Sequence, residues 1–178
     1  MNDDINILIE KLIQRDNQAF ETIYYRTNKM IYSIIITIAK DEMVTEDLMQ
    51  ETYIKMIKSI HSFKRGKNFN TWLGTIARNL AIDYYRRNQK TITVDIQEEG
   101  QLLFSNQSVN EDIKAEALEL LNHLNEDEQL IVTLRVVNEL TFKEISEITQ
   151  RPLGTVIWSY NNSISKLSKQ YKGGLNNE

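Results

Sequence analysis

The chain has 178 residues, 41% hydrophobic and 26% charged, with six glycines, one proline and a formal net charge of −4, which suits a soluble, mostly helical protein of one medium or two small domains. It has no cysteine, which excludes a disulfide framework and a thiolate metal site. The acidic start at Asp3-Asp4 lacks the basic region and apolar core of a signal peptide. The most apolar run, residues 31–39, is broken by Ser33 and Thr37 and falls short of the ~20 residues that cross a bilayer, so a cytoplasmic location is expected.

Ile5, Leu8, Ile9, Leu12 and Ile13 recur at helical spacing, and Asp16-Asn17 supplies a break and a cap. A second helix carries Phe20, Ile23, Tyr24, Met30, Ile31, Ile34, Ile35 and Ile38 on a wide apolar stripe. Isoleucine is a poor helix former by itself, so packing must hold this segment helical. Lys40-Asp41-Glu42 ends it. Thr45 reads as the next N-cap, with Leu48, Ile57 and Ile60 facing inward and Asp47, Gln50, Glu51 and Lys55 outward; by itself the outer side is a solvated face.

Charge then concentrates. Residues 64–90 hold seven basic residues against one acid, Asp83, inside a chain that is acidic as a whole. Lys64, Arg65, Lys67 and Asn68 surround Gly66 in a loop between Phe63 and Phe69. In the helix that follows, Leu73, Ile76, Ala77, Leu80, Ala81 and Tyr84 share one side at ~100° per residue. Arg78, Ile82, Tyr85 and Arg86 share the other, with Thr75 and Asn79 beside them, and Arg87 and Lys90 extend the charge. Cations interleaved with Phe69, Trp72, Tyr84 and Tyr85 suit unpaired nucleic acid, where rings stack on bases at ~1–3 kcal/mol each and cations follow phosphate. The competing reading is a basic surface over core aromatics, and Trp72 alone suits a core.

Residues 91–113 hold Asp95, Glu98, Glu99, Glu111 and Asp112, no basic residue and no helical period, and read as a domain boundary. As a flexible chain they would average ~25 Å end to end and reach ~80 Å at full stretch. That suffices to set two DNA-binding modules more than a helical turn (~34 Å) apart on a duplex; an inert tether fits as well.

The C-terminal block starts with a helix over 114–124. Asn125 with Glu128 and Thr141 with Glu144 are capping-box signatures opening two more helices, and Pro152 suits the first turn of the last. On that helix Leu153, Val156, Ile157, Tyr160, Ile164, Leu167 and Tyr171 share one face, and Thr155, Trp158, Ser159, Asn162, Lys166 and Lys169 the opposite one. A short helix, a tight turn and a long helix with an acid-free polar face make a helix-turn-helix; a small bundle without DNA is the alternative. Glu119 and His123 lie one turn apart, but nothing else in the chain supplies a metal or nucleophile site.

Asp47-Leu48-Met49-Gln50-Glu51-Thr52-Tyr53, the basic loop, Asn70-Thr71-Trp72-Leu73 and the run IARNLAIDYYRR from Ile76 to Arg87 resemble region two of bacterial sigma factors of the extracytoplasmic-function (ECF) group. Leu121-Asn122-His123-Leu124, Leu140-Thr141-Phe142-Lys143-Glu144-Ile145, Gly154-Thr155-Val156 and Lys166-Leu167 resemble region four. The resemblance implies an all-α fold of two small helical domains joined by a flexible acidic linker, with region two over 1–90, the linker over 91–113 and region four over 114–178. It implies a protein that binds core RNA polymerase and directs promoter recognition, DNA melting and transcription initiation. The polymerase supplies the chemistry, and the chain needs no cofactor or metal.

By the same resemblance, Asp47, Gln50 and Glu51 dock on the clamp helices of the largest polymerase subunit. Lys64, Arg65, Lys67, Asn68, Phe69, Trp72, Arg78, Asn79, Tyr85, Arg86, Arg87 and Lys90 recognise and open the minus-ten element, the loop pocketing a flipped base. Arg151, Thr155, Trp158, Ser159, Asn162, Lys166 and Lys169 read the minus-thirty-five element. The linker threads a basic channel of the polymerase, and an anti-sigma factor, often membrane-anchored, is the expected inhibitor.

Two departures from the family stand out: Gln150 occupies a turn position usually held by glycine, and Ile157, Ser159, Asn162 and Ile164 stand where Lys or Arg is frequent. The alternatives are a stand-alone helix-turn-helix regulator whose N-terminal domain dimerises or senses a ligand, and a helical adaptor that leaves the basic, aromatic cluster unexplained.

Overall fold

The computed structural model describes residues 2–64, 66–89 and 120–174. Its elements are α1 (Asn2–Ile13), α2 (Asn17–Ala39), α3 (Glu42–Ser59) with a 3-10 turn (Ile60–Ser62), α4 (Phe69–Gln89), α5 (Glu126–Val136), α6 (Phe142–Thr149) and α7 (Leu153–Gly174). The expected linker over 91–113, most of the expected helix over 114–124, Arg65 and Lys90 lie outside the described residues.

The helices begin where short polar side chains satisfy the free N–H groups of a first turn. Asp16 accepts from Gln18 and Ala19 N–H to open α2, and Asn68 accepts from Thr71 N–H at 3.1 Å to open α4. Both expected capping boxes form, at Asn125–Glu128 and Thr141–Glu144. The cap of α3 is Asp41 rather than Thr45: the Asp41 carboxylate accepts from Val44 N–H, while Thr45 is buried with its hydroxyl donating back to the Asp41 carbonyl. Ile57 also departs from expectation, being 46% exposed, because Tyr53, Met56 and Ile60 already fill the inner side of α3.

Helix α2 lies at the centre. Ile31, Ile34 and Ile35 are fully buried against Leu73 and Ala77 of α4 and Met56 of α3, each worth ~1.5–3 kcal/mol of burial, so packing does override their weak helix preference. The same continuous core takes in Ile131 and Leu134 of α5, Ile145 and Ile148 of α6 and Val156 of α7. The N- and C-terminal helices are therefore packed together here. Gly74 lies at a close approach between these helices: a Cβ there would stand 3.1 Å from Ile148 Cδ1 and 3.2 Å from Ile34 Cδ1.

Helix α7 is turned relative to the expected division of its faces. Val156, Ser159 and Ser163 point inward, while Leu153, Ile157, Ile164 and Tyr171 remain exposed, a rotation of roughly a fifth of a turn at 100° per residue. The cause is Glu128, whose buried carboxylate takes Lys166 and Asn162 and draws the polar edge of α7 onto α5, where small serines permit the contact. Ahead of α7, Gln150 takes the left-handed conformation (φ 56°) and caps α6, the strained geometry that its glycine-like position implies.

Candidate nucleic-acid interface

In the loop before α4, Lys67 N–H closes a turn onto the Lys64 carbonyl at 3.1 Å with Gly66 left-handed at φ 83°, which leaves Lys64 and Lys67 exposed. Behind the turn, Phe63, Phe69 and Trp72 stack with ring centroids 5.3–5.6 Å apart. Phe63 and Phe69 are buried, so Phe69 is a floor under the loop rather than a stacking surface, and Trp72 is half-buried. Asn68 has a double engagement, its carbonyl capping α4 and its amide donating to Glu144 at 2.6 Å.

Along α4, Arg86 and Arg87 are exposed, Asn79 and Tyr85 half-buried, and the Tyr85 hydroxyl donates to Glu126 at 3.1 Å. Arg78 is half-buried; burial lowers its pKa, the Asp127 carboxylate opposes that, and Arg151 and Arg86 add to it. Its Nε is buried without a hydrogen-bond partner.

On the C-terminal side, Thr155, Trp158 and Lys169 are exposed, Trp158 to 67%. The remaining expected contacts are occupied. Arg151 pairs with Asp127, Lys166 Nζ donates to both Glu128 oxygens at 2.6 and 2.9 Å, Asn162 donates to Glu128 at 3.2 Å, and Ser159 is buried. At Glu128 burial raises the pKa, but the bonds from Lys166, the capping backbone and Asn162 outweigh it and leave the carboxyl below its usual range.

Asp47, Gln50 and Glu51 are exposed on α3. Beside them is a groove of about 830 Å3 between α2 and α3, whose apolar lining includes Phe20, Tyr24, Met49, Tyr53, Ile54 and Ile57, with Val137 also contributing. Burial pushes the Tyr53 hydroxyl up to about 12 against the bond from Thr27. The helical pattern of α3 does not reveal this groove; Ile54 and Ile57, three apart on the acidic side, are the one signal of it in the sequence.

The chain matches the family model of Sigma-70 region 2 over residues 23–91 and that of Sigma-70, region 4 over residues 114–156, together more than half its length. It is 29% identical over 167 residues to the ECF RNA polymerase sigma factor SigM of Bacillus subtilis (strain 168), covering 90% of this chain and 99% of that protein. It is 29% identical over 139 residues to SigX of the same organism, covering 73% and 72%. The fold matches the sigma factor RpoE solved with the anti-sigma factor NepR from Bartonella quintana, with a TM-score of 0.71 at 21% identity over 86% of this chain and 96% of that one. The chain belongs to the sigma-70 family of RNA polymerase sigma factors, within its extracytoplasmic-function group.

Proposed function

We propose that this sigma factor divides its work as follows: region two, residues 1–90, docks on core RNA polymerase through Asp47, Gln50 and Glu51 and captures the opened minus-ten strand with the 64–69 loop and α4. Residues 91–113 act as linker, and region four, residues 114–178, reads the minus-thirty-five element through α7. The supporting observation is the exposed Lys64–Lys67 turn over an aromatic floor at the start of a helix that also presents Arg86 and Arg87, a layout suited to unpaired bases and phosphate. The polymerase carries out the chemistry; the chain is a non-catalytic initiation factor. No helix among the described residues is long and apolar enough to cross a membrane, in keeping with action in the cytoplasm. The solved relative with NepR supports an anti-sigma factor as a further partner, and the apolar groove beside Gln50 offers such a partner a surface.

The test is runoff transcription on genomic fragments with purified core polymerase. The expected result is transcripts from particular fragments only when the chain is added. Tight, sequence-specific binding of duplex by the free chain, with no polymerase-dependent transcripts, would favour the stand-alone regulator.

A further inference from the structure

Helix α7 carries two adjacent asparagines, and the set of the helix separates them. The Asn162 amide donates to the Glu128 carboxylate at 3.2 Å, beside the two Lys166 bonds to the same group. Val156, Ser159 and Ser163 face the core. At 100° per residue, the direction opposite those three lies within about 50° of Trp158, Asn161 and Ser165, and of the three Asn161 is nearest to it. All three are exposed. Ile157 and Ile164 flank this line on one edge, 36% and 39% exposed, and Thr155 flanks it on the other.

The N-terminal turns of a recognition helix are the part that meets base edges, and here residues 153–163 hold no charged side chain. That stretch therefore lacks the Arg or Lys that pairs with guanine O6 and N7. What it presents outward is one amide, at Asn161, between apolar groups. An asparagine amide matches adenine, and an aliphatic side chain matches the thymine methyl group.

We propose that Asn161 is a base-reading residue of α7: its side-chain amide donates to N7 and accepts from the N6 amino group of one adenine in the major groove of the upstream element, while Ile157, one turn earlier, lies against a neighbouring thymine methyl group. The assignment rests on the reading of region four given above, and it moves the base contact expected of Asn162 to the residue beside it. Asn162 and Ser159 set the rotation of the helix; Asn161 is the amide that this rotation turns outward.

The test uses the full chain with core polymerase on a promoter library randomised across the upstream element, comparing native chain, Asn161→Ala and Asn162→Ala. Native chain is expected to prefer adenine at one position by tenfold or more. Asn161→Ala should reduce that preference to within about twofold with an unchanged melting temperature, because the side chain is exposed. Asn162→Ala should keep the preference and melt at a lower temperature, because it leaves the Glu128 cluster short of a donor. A second measurement places 7-deazaadenine at that position, which removes N7 alone. It should weaken the native complex by fivefold or more and the Asn161→Ala complex by less than twofold.

An upstream preference confined to other bases, an adenine preference that survives Asn161→Ala, a 7-deaza effect equal in both chains, or relaxation at that position by Asn162→Ala would each overturn the assignment. Native chain that opens promoters with no preference anywhere in the upstream element would overturn the reading of region four beneath it, and that failure shows in the native arm alone.

Discussion

The two regions proposed to meet DNA place their cations differently. In region two, Lys64, Lys67, Arg86 and Arg87 are exposed at the surface, free to release counterions on meeting phosphate. In region four, Arg151 and Lys166 are held by Asp127 and Glu128, and Asn162 shares Glu128 with Lys166. The same residue types are thus left at the surface in one region and tied into the architecture in the other. Sequence position on a polar helix face does not distinguish the two uses; a carboxylate opposite does, buried at Glu128 and exposed at Asp127.

Glu128 is where this difference can be broken most severely. Glu128→Ala removes half of a capping box and leaves Lys166 and Asn162 without their shared acceptor, so a loss of ~2–3 kcal/mol is expected, measured by thermal or urea unfolding. Because its folded pKa is lowered, its contribution is fully present above the unfolded value near 4.5 and fades as pH falls through the lower folded value. The stability gap between the native chain and Glu128→Gln should therefore narrow below about pH 4; a gap constant with pH would show that the charge of Glu128 is unimportant.

Asn68 sharpens the region-two side. Asn68→Ala should cost ~1 kcal/mol by removing the cap of α4, whereas Asn68→Ser keeps a capping oxygen and gives up only the amide. If base capture is its role, promoter opening falls in both variants; if it falls only with alanine, Asn68 acts through the helix. At the exposed end of α7, Trp158→Ala should weaken upstream promoter recognition by ~1 kcal/mol with little change in melting temperature, read from a promoter library. The smallest effect belongs to the turn between α6 and α7: Gln150→Gly relieves a left-handed residue and should stabilise region four by up to ~1 kcal/mol.

Much of this arrangement is legible in the sequence, because it depends on local signals. Both capping boxes, the isoleucine stripe of α2, the turn at Gln150 and the basic loop are each written within a few residues. Thr45 misleads as a cap because Asp41, four residues earlier, offers a competing one that spacing alone does not rank. The face of α7 is hidden for a longer-range reason: hydrophobicity favours Ile157 and Ile164 as core, but Glu128, far away in sequence, draws Lys166 inward and the serines follow. The acids over Asn68 and Tyr85 are invisible for the same reason, since they lie 76 and 41 residues from their partners.

The most direct measurement of the unequal use of cations is the salt dependence of promoter complexes formed with core polymerase by three chains: native, Lys64→Ala with Lys67→Ala, and Arg151→Ala with Lys166→Ala. Removing a cation that neutralises one phosphate lowers the slope of log affinity against log salt by about one. The region-two pair is expected to lower it by about two, and the region-four pair to leave it nearly unchanged while lowering the melting temperature. An equal fall in slope for both pairs would contradict the account.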